Sequence, residues 1–145
     1  MNLKMFQLFT ELDDEDRRVL EDYLDQHRVP AGHCVFREGD AAAALVLVAK
    51  GRLQVESERT GELGTLRRGA WLGEASLVTV GSREATVTAL KNSVVLRLER
   101  SSLRVMLDQA PHTAARLLEA LASSLAGTLK RFVEDTAVDH AGPDA

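Results

Sequence analysis

The chain has a single cysteine, Cys34, so no disulfide can form within it. It also lacks a long apolar run: the patch Met5-Phe6-Gln7-Leu8-Phe9 is too short for a signal-peptide core or a membrane span. A cytoplasmic location without a membrane partner is the expectation. Positive charge is not in excess either, since 18 Lys and Arg face 22 Asp and Glu for a net charge of -4. No global field is available to hold a nucleic-acid backbone or an anionic membrane. The four histidines, His27, His33, His112 and His140, are scattered, and neither His-x-His nor Cys-x-x-Cys spacing occurs. That removes the usual metal-ligand sets, and with them a metalloenzyme built on a β-barrel. No Gly-x-Ser-x-Gly, phosphate-binding loop or paired catalytic carboxylate is present, so the chain reads as a non-enzyme without metal or cofactor.

What is present suffices for a core: 145 residues, 45% of them hydrophobic, fit one domain of ordinary size. Leu12-Asp13-Asp14-Glu15-Asp16 reads as a helix start, with Asp13 as cap and acids at the positive end of the dipole. Val19, Leu20, Tyr23 and Leu24 follow at helical spacing and predict a helix over 14–26. From Val29 to Leu98 the texture changes to short apolar runs punctuated by glycine at 32, 39, 51, 61, 64, 69, 73 and 81. Strands are predicted at 34–36, 44–48, 51–56, 63–66, 85–89 and 94–98, in an antiparallel barrel or sandwich. Ser101-Ser102 predicts the cap of a short helix over 102–108, and Pro111 allows a long helix over about 112–135. Leu118, Leu121, Leu125, Thr128 and Phe132 recur along it at spacings of 3, 4, 3 and 4, a heptad-like seam. Residues 1–138 are expected to form one domain, and 139–145 a flexible tail.

One stretch carries chemistry. In Gly-Glu-Ala-Ser-Leu-Val-Thr-Val-Gly-Ser-Arg-Glu-Ala-Thr-Val, residues 73–87, an acid and a base flank the apolar pair Leu77-Val78 and a small turn. Either Glu74 and Arg83 pair with each other, or one ligand uses an acceptor and a cation together. The carboxylate accepts, and the guanidinium offers a forked, charged donor suited to an anion.

Helix, glycine-punctuated strands and long helix, together with Phe-Arg-Glu-Gly-Asp at 36–40, Val-Ala-Lys-Gly-Arg-Leu-Gln-Val at 48–55 and Gly-Glu followed by Arg-x-Ala-Thr-Val, resemble the cyclic nucleotide-binding domain. This is the effector half of catabolite-activator-type regulators. The resemblance covers nearly the whole chain and implies a mainly β fold: a β-roll (double-stranded β-helix, jelly-roll-like) with an N-terminal helix and a long C-terminal helix. It implies cyclic AMP or another cyclic nucleotide as ligand, held by Gly73, Glu74, Ala75, Arg83, Glu84, Ala85 and Thr128. Glu74 would take the ribose 2'-hydroxyl, Arg83 the phosphate, a turn over 74–78 would aim N–H groups at the anion, and Thr128 would reach the purine edge. It further implies a homodimer through Leu118, Leu121, Leu125 and Phe132, with a separate effector protein as partner. Family regulators carry a helix-turn-helix after the long helix; about ten residues follow position 135, so direct DNA binding is not expected.

One position departs from the pattern. The residue after the family's arginine is usually small or a hydroxyl, and here it is Glu84. Facing a phosphate at about 5 Å in an effective dielectric near 20, its carboxylate would cost roughly 3 kcal/mol; pointing outward, it would cost little. The alternative function is a nucleotide-free member of the family that serves as a protein-protein interaction scaffold.

Overall fold

The computed structural model describes residues 2–140, with the side chains of Phe132 and of 135–140 outside the described set. After two single turns of 3-10 helix at Leu3–Met5 and Gln7–Phe9, the elements are α1 (Asp14–Glu21), β1 (Asp25–Val29), β2 (Cys34–Phe36), β3 (Ala41–Ala42), β4 (Ala44–Lys50) and β5 (Arg52–Ser57). There follow β6 (Gly61–Arg67), β7 (Trp71–Leu72), a 3-10 turn at Glu74–Leu77, β8 (Gly81–Ser82), β9 (Thr86–Ala89), β10 (Ser93–Glu99), α2 (Arg100–Gln109) and α3 (Pro111–His140). Two antiparallel four-stranded sheets, in the orders β1-β10-β4-β7 and β2-β9-β5-β6, face each other, and β3 pairs with β8 beside them. This is the β-roll with flanking helices.

The core has two compartments because the first sheet is covered on both faces. In β4, Leu45, Leu47 and Ala49 turn toward the helices, whereas Val46 and Val48 turn into the space between the sheets. That is why this strand reads as an unbroken apolar run rather than an alternating one. β10 obeys the same rule, with Leu96 and Leu98 on the helical side and Val95 between the sheets. Burying each such side chain contributes about 1.5–3 kcal/mol. Gly51, at φ 99°, makes the sharp turn from β4 to β5, and a Cβ there would lie 2.7 Å from the Ser93 backbone Cα.

Several local expectations are corrected. The first helix ends at Glu21 rather than residue 26, and Asp13 caps it by accepting from the Asp16 N–H at 2.8 Å. Residues 25–29 are strand because β1 pairs along its whole length with β10, from Asp25 opposite Arg97 to Val29 opposite Ser93. Tyr23 and Leu24, which extended the helical periodicity, pack on the same helical compartment from a turn. Ser101 and Ser102 do not cap α2. β10 runs directly into it, Glu99 stands at the cap position without a side-chain bond, and the Arg100 N–H is taken by the Ala43 carbonyl at 2.8 Å. Pro111 opens α3, which continues to His140, past the expected end; of the expected tail, 141–145 lie outside the described residues.

α3 is anchored over its first three turns. Ala114, Leu117 and Leu121 are buried in the helical compartment, and the Thr113 hydroxyl donates to the buried Asp16 carboxylate at 2.7 Å. Leu121 is only 2% exposed, so it is removed from the expected dimer seam by its own protomer's core, and Leu118 packs largely on that core as well. Leu125 is half-buried, and the Phe132 side chain lies outside the described residues. Among the described residues no helix is long and apolar enough to cross a membrane.

Candidate functional site

Gly73 ends β7 in the left-handed region, at φ 80°, and the chain then closes the 3-10 turn Glu74–Leu77. The space beside Gly73 forbids a side chain as firmly as the backbone angle does: a Cβ would stand 2.4 Å from Arg83 Nη1 and 2.9 Å from the Ala44 carbonyl oxygen. Arg83 arrives from the other side. β8 pairs with β3 just before it, its N–H donates to the Asp40 carbonyl at 2.7 Å, and its carbonyl accepts from the Gly39 N–H at 2.8 Å. The Gly-Asp of the 36–40 motif is thus a backbone clamp on the arginine.

The guanidinium of Arg83 is buried, with the residue 7% exposed. Nη2 donates to the Ala44 carbonyl at 2.9 Å, Nη1 donates to Ser76 Oγ at 3.3 Å, and the group lies 4.2 Å over the Phe36 ring. Among the described residues it has no ion-pair partner. Burial lowers its affinity for its proton and Arg97 acts in the same sense, while Glu99 and Asp40 oppose them from a distance. An arginine remains charged under these influences. The result is a desolvated cation held by neutral acceptors and a ring face, an arrangement that favours an incoming anion.

Beside it opens a cavity of about 590 Å³ lined by residues that include Phe36, Leu72, Gly73, Ala75, Ser76 and Arg83. Glu84 and Ala85 line it too, and both also border a second cavity, of about 720 Å³, on the side of Glu38, Arg59 and Leu63. Glu84 is exposed at the boundary between the two. Its repulsion of an anion at about 5 Å therefore falls from roughly 3 toward roughly 1 kcal/mol, the value in water.

Of the expected site residues, Gly73, Ala75, Arg83, Glu84 and Ala85 come together around one cavity. Glu74 is not among the lining residues, although its neighbours on both sides are. It does not pair with Arg83; its Oε2 accepts from the Trp71 indole N–H at 3.3 Å. Thr128 is not brought to the cavity. Its hydroxyl is exposed, donates to the Ser124 carbonyl one turn back at 3.2 Å and accepts from Arg131 Nη2 at 3.3 Å. Residues of α3 around it, Ser124, Gly127 and Arg131, border a different cavity of about 400 Å³, which Trp71 and residues of the 7–11 segment also line.

Several contributors were not visible in the sequence. Phe36 and Ser76 lay inside quoted motifs, but nothing assigned them to the guanidinium. Arg100 was missed altogether: Nε donates to the Ser76 carbonyl at 2.8 Å, and Nη2 to the carbonyls of Ala42 and Thr79 at 2.8 and 2.7 Å. It ties the end of the turn at 74–77 to β3 and to the start of α2. A cation in the first turn of a helix opposes the helix dipole, and that misplacement is the signal that could have singled it out.

The sequence profile of the family described as "Cyclic nucleotide-binding domain" matches residues 26–110. The chain belongs to that family. A cAMP-dependent protein kinase regulatory subunit from Candida albicans is 31% identical over 105 residues, covering 72% of this chain and 23% of the relative. The Cyclic AMP receptor protein of Thermus thermophilus is 32% identical over 124 residues, covering 81% of this chain and 56% of the relative. Among solved structures, the N-terminal domain of a transcriptional regulator from Streptomyces coelicolor superposes with a TM-score of 0.75 at 32% identity, covering 83% of this chain and 89% of that one. The chain thus spans about a quarter of the kinase subunit and just over half of the receptor. In this cyclic nucleotide-binding domain the profile match contains every residue lining the Arg83 cavity and stops one residue before α3.

Proposed function

We propose that this cyclic nucleotide-binding domain is a non-enzymatic regulatory module that senses a cyclic mononucleotide, cyclic AMP first among the candidates, and signals through a partner protein. One observation carries the reading: a buried guanidinium without a carboxylate partner among the described residues, facing a cavity of about 590 Å³. A cyclic phosphodiester brings the single negative charge that this cation lacks, and its oxygens match the forked donor. The names of the kinase subunit and of the receptor supply cyclic AMP as the first ligand to try. Glu74 serves the ribose hydroxyl only if its carboxylate turns from the Trp71 indole toward the cavity, which it does not line. Thr128 enters only if α3 shifts toward the cavity, so in this reading the helix moves on binding and its movement is the output.

The exposed apolar residues of α3, Leu129 and Val133, together with half-buried Leu125, support a homodimer formed by two copies of this helix. Soluble, cytoplasmic action without DNA or membrane contact completes the proposal.

Titration calorimetry with cyclic AMP, cyclic GMP and a cyclic dinucleotide tests it. Wild-type protein is expected to bind a mononucleotide, and Arg83→Ala to weaken that binding by roughly 2–3 kcal/mol, because charge-assisted hydrogen bonds to an anion are lost. Absence of heat and of a thermal shift at millimolar nucleotide would replace the sensor by the nucleotide-free scaffold.

A further inference from the structure

β6 lies at the edge of its sheet with β5 as its only ladder neighbour, and every residue of it except Leu66 is exposed. Such an edge presents unpaired N–H and C=O groups to any strand that can approach it, and charge is one of the devices that keep strands away. Here the charges are arranged at a cost to the hairpin itself. Arg52 of β5 stands directly opposite Arg67 of β6, and Glu56 directly opposite Glu62. Like charges in such positions destabilise a sheet. All four point to solvent, because Leu53 and Val55, which alternate with Arg52 and Glu56 along β5, turn into the inter-sheet compartment. Among the described residues none of the four has an ion-pair partner.

The order of residues along β6 supplies what the hairpin lacks. The strand runs Glu62-Leu63-Gly64-Thr65-Leu66-Arg67, with an acid near one end and a base at the other. Leu63 is the extra residue of a β-bulge opposite the step from Val55 to Glu56, so Glu62 and Arg67 come to the same face of the sheet despite their odd spacing. A second copy laid antiparallel along this edge, about a two-fold axis at Thr65, sets Glu62 of each chain beside Arg67 of the other. Each row across the joined face then reads Glu56, Glu62, Arg67, Arg52, the last two from the second copy, and opposite signs meet at its centre. We propose that β6 is a self-pairing edge whose partner is the β6 of a second copy, which joins the two four-stranded sheets into one antiparallel sheet. A slide along the edge would part the opposite charges, so they fix the register as well as the partner. The inference does not depend on what the Arg83 cavity binds. The helices pack on the other sheet, so this edge and an interface made by α3 can be used together.

One strand edge buries less than a stable dimer interface needs, so the pairing is weak by itself, with a dissociation constant near about 1 mM. The test uses the full chain carrying Leu129→Lys, which takes the apolar surface of α3 out of the measurement. Light scattering should give a monomer at high micromolar concentration and a mass rising toward the dimer at about 2 mM, with the amide resonances of residues 61–67 shifting in step. Added to that chain, Glu62→Arg and Arg67→Glu should each weaken association by about tenfold or more, since each puts like charges at both central contacts. An equimolar mixture of the two variants restores opposite signs at both contacts, and so does the doubly exchanged Glu62→Arg/Arg67→Glu chain. Both should associate within about threefold of the parent, and all of these substitutions sit at exposed positions that tolerate change. A parent that stays monomeric at about 2 mM would overturn the proposal. So would single variants that associate like the parent, a mixture and a double exchange that both stay monomeric, or resonance shifts confined to residues outside β6.

Discussion

Arg83 is almost fully buried and bonded to three other segments of the chain, whereas Leu129 is 62% exposed and Val133 53% exposed on a helix that has left the roll behind. Around the arginine the polar groups find partners from β4, from the turn at 74–77 and from the 39–40 loop. Beyond Leu121 the side chains of α3 are half-buried or exposed wherever they are described. The difference is one of completeness. The Arg83 cavity is lined entirely by the fold of one chain, while the outer half of α3 offers apolar surface that the described residues do not cover. The family match over residues 26–110 covers the roll and α2 and leaves α3 outside it.

The contrast breaks most sharply at Gly73. Gly73→Ala forces a side chain into the left-handed region and against the Ala44 carbonyl, so it should destabilise the domain by roughly 3 kcal/mol and disturb the guanidinium at the same time. Thermal unfolding and calorimetry on the same sample would read both losses; a stable variant that binds normally would mean that the tight approach is not required. Thr113→Val comes next. It removes the hydroxyl that satisfies buried Asp16 and should cost about 1–2 kcal/mol in chemical denaturation while leaving ligand affinity unchanged, since it touches only the anchored end of α3. The smallest effect on stability belongs to Leu129→Lys, within about 0.5 kcal/mol, as for most exposed positions. Its consequence should appear in mass instead: light scattering at high micromolar concentration should give a dimer for wild type and a monomer for the variant. A wild-type monomer would restrict the output surface to heterologous partners.

The chemistry near Arg83 was legible because it is local in sequence. Gly73 and Arg83 lie ten positions apart, and a glycine before an acid, followed by a lone arginine, reads without knowledge of the fold. What the arginine rests on was not legible, since Ala44 contributes a carbonyl that every residue has, and Phe36 looks like any strand aromatic. β1 escaped notice because four of its five residues are exposed and carry no alternation. Tyr23 and Leu24 extended the helical period falsely, because a turn can bury the same two side chains on the same compartment. Leu121 was assigned to a seam for a related reason: spacing marks an apolar stripe, and only packing tells which part of it the protomer keeps for itself.

The length of α3 has a mechanical meaning. Thirty residues form the helix, and its last fully buried side chain among the described residues is Leu121. At 1.5 Å per residue the stretch from there to His140 extends about 28 Å past its fulcrum. A tilt of about 10° at the base would carry the far end through about 5 Å, close to the rise of one helical turn. A displacement at the base of α3 too small to disturb the packing of the roll would thus reach the size of a side chain at the tip, by leverage alone.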